Sequence, residues 1–424
     1  MLIAALAFVI LLLIGIPISY VLGITSVFYM LSSDNLNLLV SAPQRMVTGI
    51  QNYGLLAIPL FVLAGEIMNQ GGITSRLIRM SQVLVGHFRG GLAYVNVISN
   101  MFLASIIGSA NAQTAMMSKI IVPEMEKEGY KKEFSSALTA SASLIGPIIP
   151  PSLAFILYGV TAEVSIANMF IGGVIPGILL GLGFIILISL FSIKEKFPKH
   201  DRAPFKQMAS SVIIALPSLA IPIFIIVGIL SGFFTATESA AMASLLAFVI
   251  GFFFYRELKL KHIPSILINT AITSSIVTFI VSMATIFGWV ISYEKIPQAI
   301  ASVMINITDS PAGFLFICLI LFLLIGMILE GSAAIIILVP VLLPVAIEYG
   351  IDPVQFGIII CINLTLGLIT PPVGTVLFIA SSITKIPFET LSRSVIPFLA
   401  VGAIVLIIVT YIPSLTLWLP SLIK

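Results

Sequence analysis

Two stretches of the chain crowd glycine, proline, hydroxyl and amide side chains into sequence that is otherwise apolar. Gly108 to Ser152 contains GSANAQT, then PEMEKEGY, then IGPIIPPS; Gly331 to Thr375 contains GSAAIIILVP, PVAIEYGI and LGLITPPVGT. Such residues coordinate and hydrogen-bond rather than make bonds. Hydroxyls and amides, with carbonyls freed where proline interrupts a helix, are hard oxygen ligands suited to sodium. The amino termini of half-helices present unpaired N–H groups and positive dipole ends, which suit a carboxylate. Candidate sodium oxygens lie at Gly108, Ser109, Asn111, Ser143 and Gly146 in the first stretch. In the second they lie at Gly331, Ser332, Thr365, Gly367, Thr370 and Thr375. Ser105, Pro150, Pro151, Glu330, Pro371 and Pro372 are candidates for substrate contact or gating. The bland alternative for each Ser or Thr is a packing hydroxyl bonded to its own helix. Clustering at both stretches favours ligation.

The stretches are copies. At a fixed separation of about 221 residues Pro123 falls on Pro344, Gly129 on Gly350, Gly146 on Gly367, and Pro150–Pro151 on Pro371–Pro372. A shared taste for Gly and Pro in membrane helices is the competing reading. An internal duplication accounts for the constant offset and is the ground plan of secondary transporters.

Composition sets the class. Of 424 residues 59% are hydrophobic and 9% charged, and the mean hydropathy is +1.20. A soluble surface of that size could not be covered, so the chain reads as an all-α polytopic protein in membrane lipid. The net charge of +3 gives no reason to expect nucleic acid. Cys318 and Cys361 sit in apolar runs, and no Cys/His cluster offers a transition-metal, haem or iron–sulfur site. No nucleophile–base pair supports an enzyme, no GxxxxGK[ST] sequence supports a nucleotide site, and no cofactor is implied beyond sodium as coupling ion.

Taken in order, an apolar segment at 2–31, interrupted at Gly15 and Pro17, leads to a polar connection holding Asp34 and Arg45. A helix at 55–68 carries Glu66. A basic amphipathic stretch, TSRLIRMSQVLVGHFRGG, is expected to lie in the cytoplasmic interface. Residues 92–117 are too few for two crossings of about 20 residues each. A single crossing is one reading; a re-entrant hairpin with its tip between Ser105 and Asn111 fits better. A charged loop, 119–133, is expected next, then a helix at 135–158 broken by GPIIPP. Crossings follow at 164–193, 209–231, 239–255 and 264–291, then a polar loop at 292–312. A second hairpin is expected at 313–345, a second broken helix at 354–381, and a last crossing at 395–418.

Placing the basic segments 76–90, 194–208 and 256–262 inside gives a consistent topology. The first hairpin then enters from the cytoplasm and the second from outside. Residues 1–208 and 232–424 form inverted repeats joined by a helix at 209–231. The expected fold has about 11 membrane elements, two of them re-entrant hairpins and two broken helices.

Three acidic residues, Glu66, Glu238 and Glu330, sit at or near membrane depth and are functional candidates on that ground. Thr235 and Glu238 also fit a capping box. Glu66 lies near a helix end. Glu330, on the second tip, is assigned to gating or to holding the tip.

At IPLFVLAGEIMNQGGI, GGLAYVNVISNMFLASIIGSANAQT, IGPIIPPS with LAFILYG, GFFTATESAA and LGLITPPVGT the chain resembles the large membrane subunit of tripartite ATP-independent periplasmic (TRAP) transporters. The resemblance runs along nearly the whole chain, with the motifs in family order. It implies an elevator-type transporter of the bacterial inner membrane, with hairpins and broken helices in a mobile domain and sodium driving uptake. It also implies two partners: a small four-helix membrane subunit, for which no segment here is left over, and a periplasmic substrate-binding protein delivering an organic acid. Dicarboxylate-type tips look more like GSSAAT; GSANAQT points toward sialic acid instead. Arg45, Glu163, Glu294 and Asp352 are expected to contact the binding protein. The alternative is a self-sufficient sodium–anion symporter or cation antiporter of related architecture, and a non-transporting scaffold is the remaining one.

Overall fold

The structure, a computed structural model, describes residues 2–33, 37–195 and 197–422; Asp34 and Lys196 lie outside them. Every regular element among these residues is helical. Gly15 and Pro17 split the first apolar segment into α1 (Leu2–Leu13) and α2 (Ile18–Ser32). The expected polar connection is a helix, α3 (Asn37–Ile50), with Pro43 inside it. Gln44, Arg45 and Thr48 are exposed along it while Leu38 and Ala42 are buried. α4 (Ala57–Gln70) and the amphipathic α5 (Ile73–Val85) follow.

The first hairpin is α6 (Gly91–Ile107) and α7 (Ala110–Lys127). Its second arm is ten residues longer than the expected end at 117 and takes up most of the expected charged loop. The reason is amphipathicity. Gln113, Met117, Ile121 and Met125 are buried at helical spacing, while Lys119, Glu124 and Lys127 face out, and Lys127 pairs with Glu124 at 2.7 Å. Charge density had concealed a helical period. Gly129 ends the arm at φ +88°, a left-handed position that suits glycine.

The first broken helix is α8 (Lys132–Ala142) and α9 (Leu153–Thr161), of 11 and 9 residues. At about 1.5 Å per residue each spans roughly half of a 30 Å hydrocarbon core. α10 (Ile166–Lys194), the linking α11 (Phe205–Leu230), α12 (Ala236–Val249) and the long α13 (Ile263–Tyr293) come next. The expected polar loop at 292–312 contains a further helix, α14 (Ile296–Ile307), which has Pro297 in its first turn and buries Pro297 and Ala301.

The second hairpin, α15 (Pro311–Ile328) and α16 (Gly331–Glu348), repeats the first: α16 occupies the positions of α7 shifted by the same 221 residues. Gly350, at φ +73°, ends it as Gly129 ends α7. The second broken helix is α17 (Pro353–Gly367) and α18 (Thr375–Thr384), and α19 (Phe388–Tyr411) and α20 (Ser414–Ser421) complete the chain. Both Pro–Pro bonds, 150–151 and 371–372, are cis.

Eight helices among the described residues are long and apolar enough to cross a membrane. The repeats interlock: α7 packs on α18 of the other repeat, and α16 on α9. Around that unit, α13 packs on α2, α3 and α4, and α12 on α4. Cys318 and Cys361 are buried free thiols.

Candidate functional site

α6 stops at Gly108, whose φ of +59° turns the chain without steric cost. Ser109 is then extended, and its hydroxyl accepts the Ala112 N–H at 3.5 Å as the cap of α7. At the first break Ser152 does the same for α9, accepting from Phe155 N at 3.4 Å while donating to the Pro147 carbonyl at 2.5 Å. The two ends touch: a Cβ on Gly108 would lie 3.2 Å from the Pro151 carbonyl oxygen. Both N-termini open on one cavity of about 370 Å³, lined by Gly108, Ser109, Pro151 and Ser152. Glu66 and Asn69 of α4 and Thr273 of α13 form part of the facing wall. Glu66 also accepts from Asn269 Nδ2 at 3.4 Å. Ser105 is buried one turn before the tip.

Behind this cavity lies a buried polar chain. Asn96 Nδ2 donates to Thr139 Oγ1 at 2.6 Å, and Asn100 Nδ2 donates to Asn96 Oδ1 at 2.8 Å. Gln113 Nε2 donates to the Asn100 carbonyl and to its Oδ1, both at 2.7 Å. Ser143 Oγ donates to the Thr139 carbonyl at 2.7 Å and lies 3.3 Å from Asn100 Oδ1. Gln113 Oε1 is buried and finds no donor among the described residues. It sits against Gly146, where a Cβ would collide with it. A buried acceptor left unpaired costs about 1–3 kcal/mol; a cation beside Gln113 Oε1 would remove that cost. Asn96, Asn100 and Gln113 were not among the sequence candidates, although amides at membrane depth are themselves a signal.

The second tip is built differently. Glu330 caps α16, its carboxylate accepting from Ser332 N at 3.2 Å and Ser332 Oγ at 2.8 Å. Glu330 therefore holds the tip, on the exposed side. The Thr365 and Thr370 hydroxyls donate to their own helix, at Cys361 O (2.6 Å) and Leu366 O (2.8 Å), so only their lone pairs remain for a ligand. Gly367 is a packing glycine, with the backbone of Gly326 where a Cβ would go. Pro371–Pro372 lie in the break that leads to Gly374, whose N–H reaches Met327 O at 3.4 Å. Asn363 Nδ2 donates to Leu319 O at 2.8 Å and its buried Oδ1 has no partner among the described residues. Nothing lies within 4 Å of a Cβ built on Gly331.

At this level Thr375 Oγ1 of the second repeat donates to Asn111 Oδ1 of the first at 3.3 Å. The structure thus brings the sequence candidates together as tip and break in the first repeat, as the buried chain around Ser143 and Gly146, and as the Asn111–Thr375 link. Glu238 is one half of a complete capping box with Thr235.

The four charges expected to meet an external partner have uses within the chain. Arg45 stacks over Trp289 at 4.1 Å. Glu294 accepts the Tyr29 hydroxyl. Asp352 caps α17 at 2.8 Å from Val354 N. Glu163 lines a cavity of about 290 Å³ between α9, α13 and α16.

A family model for the "Tripartite ATP-independent periplasmic transporter, DctM component" matches residues 5–415. The chain is 37% identical to the sialic acid TRAP transporter large permease protein SiaM of Vibrio cholerae, over 96% of this chain and 95% of that protein. It is 39% identical to the C4-dicarboxylate TRAP transporter large permease protein DctM of Pseudomonas aeruginosa, over 88% and 87%. The crystal structure of the Alcanivorax borkumensis YdaH transporter matches with a TM-score of 0.67 over 99% of this chain and 98% of that one; at 13% identity the likeness concerns the fold alone.

Proposed function

The chain belongs to the DctM-component family of tripartite ATP-independent periplasmic transporters, multi-pass permeases of the bacterial inner membrane, and from that premise we propose sodium-coupled uptake of an organic acid. The substrate is a carboxylate of the sialic acid or C4-dicarboxylate class, two of the classes that the relatives' names describe, beside 2,3-diketo-L-gulonate and isethionate. A periplasmic binding protein delivers it, and a small four-helix membrane subunit completes the permease.

One observation carries the reading. The capped N-termini of α7 and α9 converge on a single cavity, in front of a buried oxygen at Gln113 that no protein donor among the described residues satisfies. Paired N-termini favour a carboxylate. The amide, hydroxyl and carbonyl oxygens behind them favour a hard monovalent cation. In this reading the interlocked hairpins and broken helices move as one body against α2, α4, α12 and α13. No buried arginine in either broken helix clamps a carboxylate, so capture from dilute solution falls to the binding protein.

The test is uptake in proteoliposomes holding both membrane subunits. Uptake should require loaded binding protein and stop when potassium replaces sodium at fixed pH. Alanine at Ser109, Asn111, Ser332 or Thr370 should raise the sodium needed for half-maximal uptake roughly five- to thirtyfold, as expected for about 1–2 kcal/mol per oxygen. Vigorous uptake of free micromolar substrate would instead support a self-sufficient symporter, and sodium-independent uptake would end the coupling proposal.

A further inference from the structure

The three basic segments, far apart in sequence, meet at one place. α5 contributes Ser75, Arg76 and Arg79; the start of α11 contributes Lys206, Ser210 and Ser211; the segment after α12 contributes Glu257. Together they line a cavity of about 760 Å³. Its cations differ in their employment. Arg76 is fixed: its Nη1 pairs with Glu257 at 2.8 Å and donates to Gly72 O at 2.7 Å, and its guanidinium lies 3.8 Å over the Tyr255 ring. Tyr255 in turn bonds α11, donating to Ile214 O at 2.7 Å. Arg79 and Lys206 are exposed and have no acidic partner among the described residues. Glu257 cancels one of the three charges, which leaves a net excess of two in a recess that also offers hydroxyl donors.

On the Lys206 side the recess borders the outer face of α11. Ile213 and Val227 lie within about 60° of Lys206 around the helix, with Leu216 and Ile223 just beyond, and all four are about half or more exposed; the face that continues from Ile214 is buried at Ser218, Ile221 and Ile225. A free anion has no use for such a strip; an anion carrying acyl chains does. We propose that this recess binds the phosphate headgroup of an anionic phospholipid, with the acyl chains lying along α11. Arg79 and Lys206 are the charges that select it, and Arg76, locked against Glu257 and Tyr255, is the wall that positions it.

The full chain in neutral detergent is titrated with short-chain phosphatidylglycerol, short-chain phosphatidylcholine and inorganic phosphate, and thermal unfolding is followed. A ligand of the folded state raises Tm by mass action. Phosphatidylglycerol should half-saturate the shift at a concentration more than tenfold below phosphatidylcholine, since each cation near a lipid surface is worth about fivefold. The double variant Arg79→Gln with Lys206→Gln should lose that preference while keeping the lipid-free Tm. Lys259→Gln with Lys261→Gln, which removes two cations from outside the recess, should keep it. Equal loss in both double variants would mean a diffuse surface potential and overturn the site. So would equal response to the two lipids. A full shift by inorganic phosphate at the same concentration would make the site one for a free anion and overturn the lipid assignment.

Discussion

The two hairpins share their arms and differ at their tips and in what fills them. Arm lengths and the glycine that ends each second arm recur at the same offset, and the Ser109 cap of α7 is matched by the Glu330 cap of α16, but the left-handed Gly108 (φ +59°) stands where the second tip has an extended Leu329 (φ −99°). The side chains behind the tips do not recur. Asn96, Asn100, Gln113, Thr114 and Ser118 of the first hairpin stand where the second has Ile317, Leu321, Ala334, Ile335 and Val339. Thr139 and Ser143 of α8 stand where α17 has Ile360 and Leu364, while Asn363 stands against Ala142. Duplication preserved a geometry, whose requirements are set by backbone dihedrals and caps. Side-chain chemistry was free to diverge, and the polar chain was built in one copy only. The first repeat therefore carries a chain of buried side-chain oxygens, whereas the second keeps the buried amide of Asn363 beside backbone carbonyls and the Thr365 and Thr370 hydroxyls, which are already bonded to carbonyls of α17.

The largest expected effect follows from that difference. Gln113→Met keeps the volume but removes the buried acceptor and both bonds to Asn100. Losing such bonds in a buried network costs about 1–3 kcal/mol, or roughly five- to 150-fold in apparent sodium affinity. The reverse change, Ala334→Gln, places an unpartnered amide in the apolar seam. It should lower stability and leave sodium dependence unchanged. A sodium titration of uptake in proteoliposomes, with unfolding of each variant in detergent, reads both. An unaltered sodium requirement in Gln113→Met would remove the buried chain from the coupling site.

The next effect tests the matched glycines. At Gly367 a Cβ would lie 2.6 Å from Gly326 Cα and 2.7 Å from its carbonyl oxygen, so α15 and α17 would have to separate. At Gly146 the obstacle is the Gln113 side-chain amide, which can turn. Gly367→Ala should therefore cost about 1–3 kcal/mol of overpacking, seen as a loss of stability in detergent. Gly146→Ala should cost less stability and instead shift sodium dependence, through the displaced oxygen. If the two variants behave alike, the duplicated glycines have one common role and the contrast fails.

How much of this was legible in sequence follows the same division. Gly108, Gly129, Gly350 and the Pro–Pro pairs mark backbone positions with few chemical alternatives, so their spacing disclosed the hairpins, the breaks and the duplication. Charge did not map onto loops so simply: α7, α3 and α14 carry their polar residues on outer faces, and a count of charges cannot see a face. The Asn111–Thr375 bond spans 264 residues and could not be read locally. Gln113 lay within the quoted GSANAQT motif, but only the fold places its oxygen against Gly146. Glu66 was noted for its depth, and the fold alone puts it on the wall facing the first tip.

The smallest effect separates two ways of starting equivalent helices. Lys131 and Asp352 occupy matched positions at the N-termini of α8 and α17. Asp352 caps its helix through Val354 N and Gln355 N. Lys131 makes no cap and instead pairs with Glu195 at 2.8 Å, both side chains lying in solvent. Asp352→Ala should cost about 1 kcal/mol, the usual worth of a cap. Lys131→Ala should cost less, because an exposed pair is screened. The pair leaves a pH signature that the cap lacks. Lys131, through its hydrogen bond and charge, holds Glu195 below the ordinary carboxylate range, and Glu195 raises Lys131 in the same way. The carboxylate's share of stability is present above the ordinary value of roughly 4.3 and is lost as pH falls through its depressed value. The lysine's share is present below roughly 10.4 and is lost as pH rises through its raised value. Unfolding of Lys131→Ala in detergent, measured against the parent, should thus differ most between those limits, and the difference should shrink in high salt. The Asp352→Ala deficit should persist in the same salt, since its bonds are short and local. A Lys131→Ala deficit as large and as salt-resistant as that of Asp352→Ala would mean that the ion pair does the work of a cap.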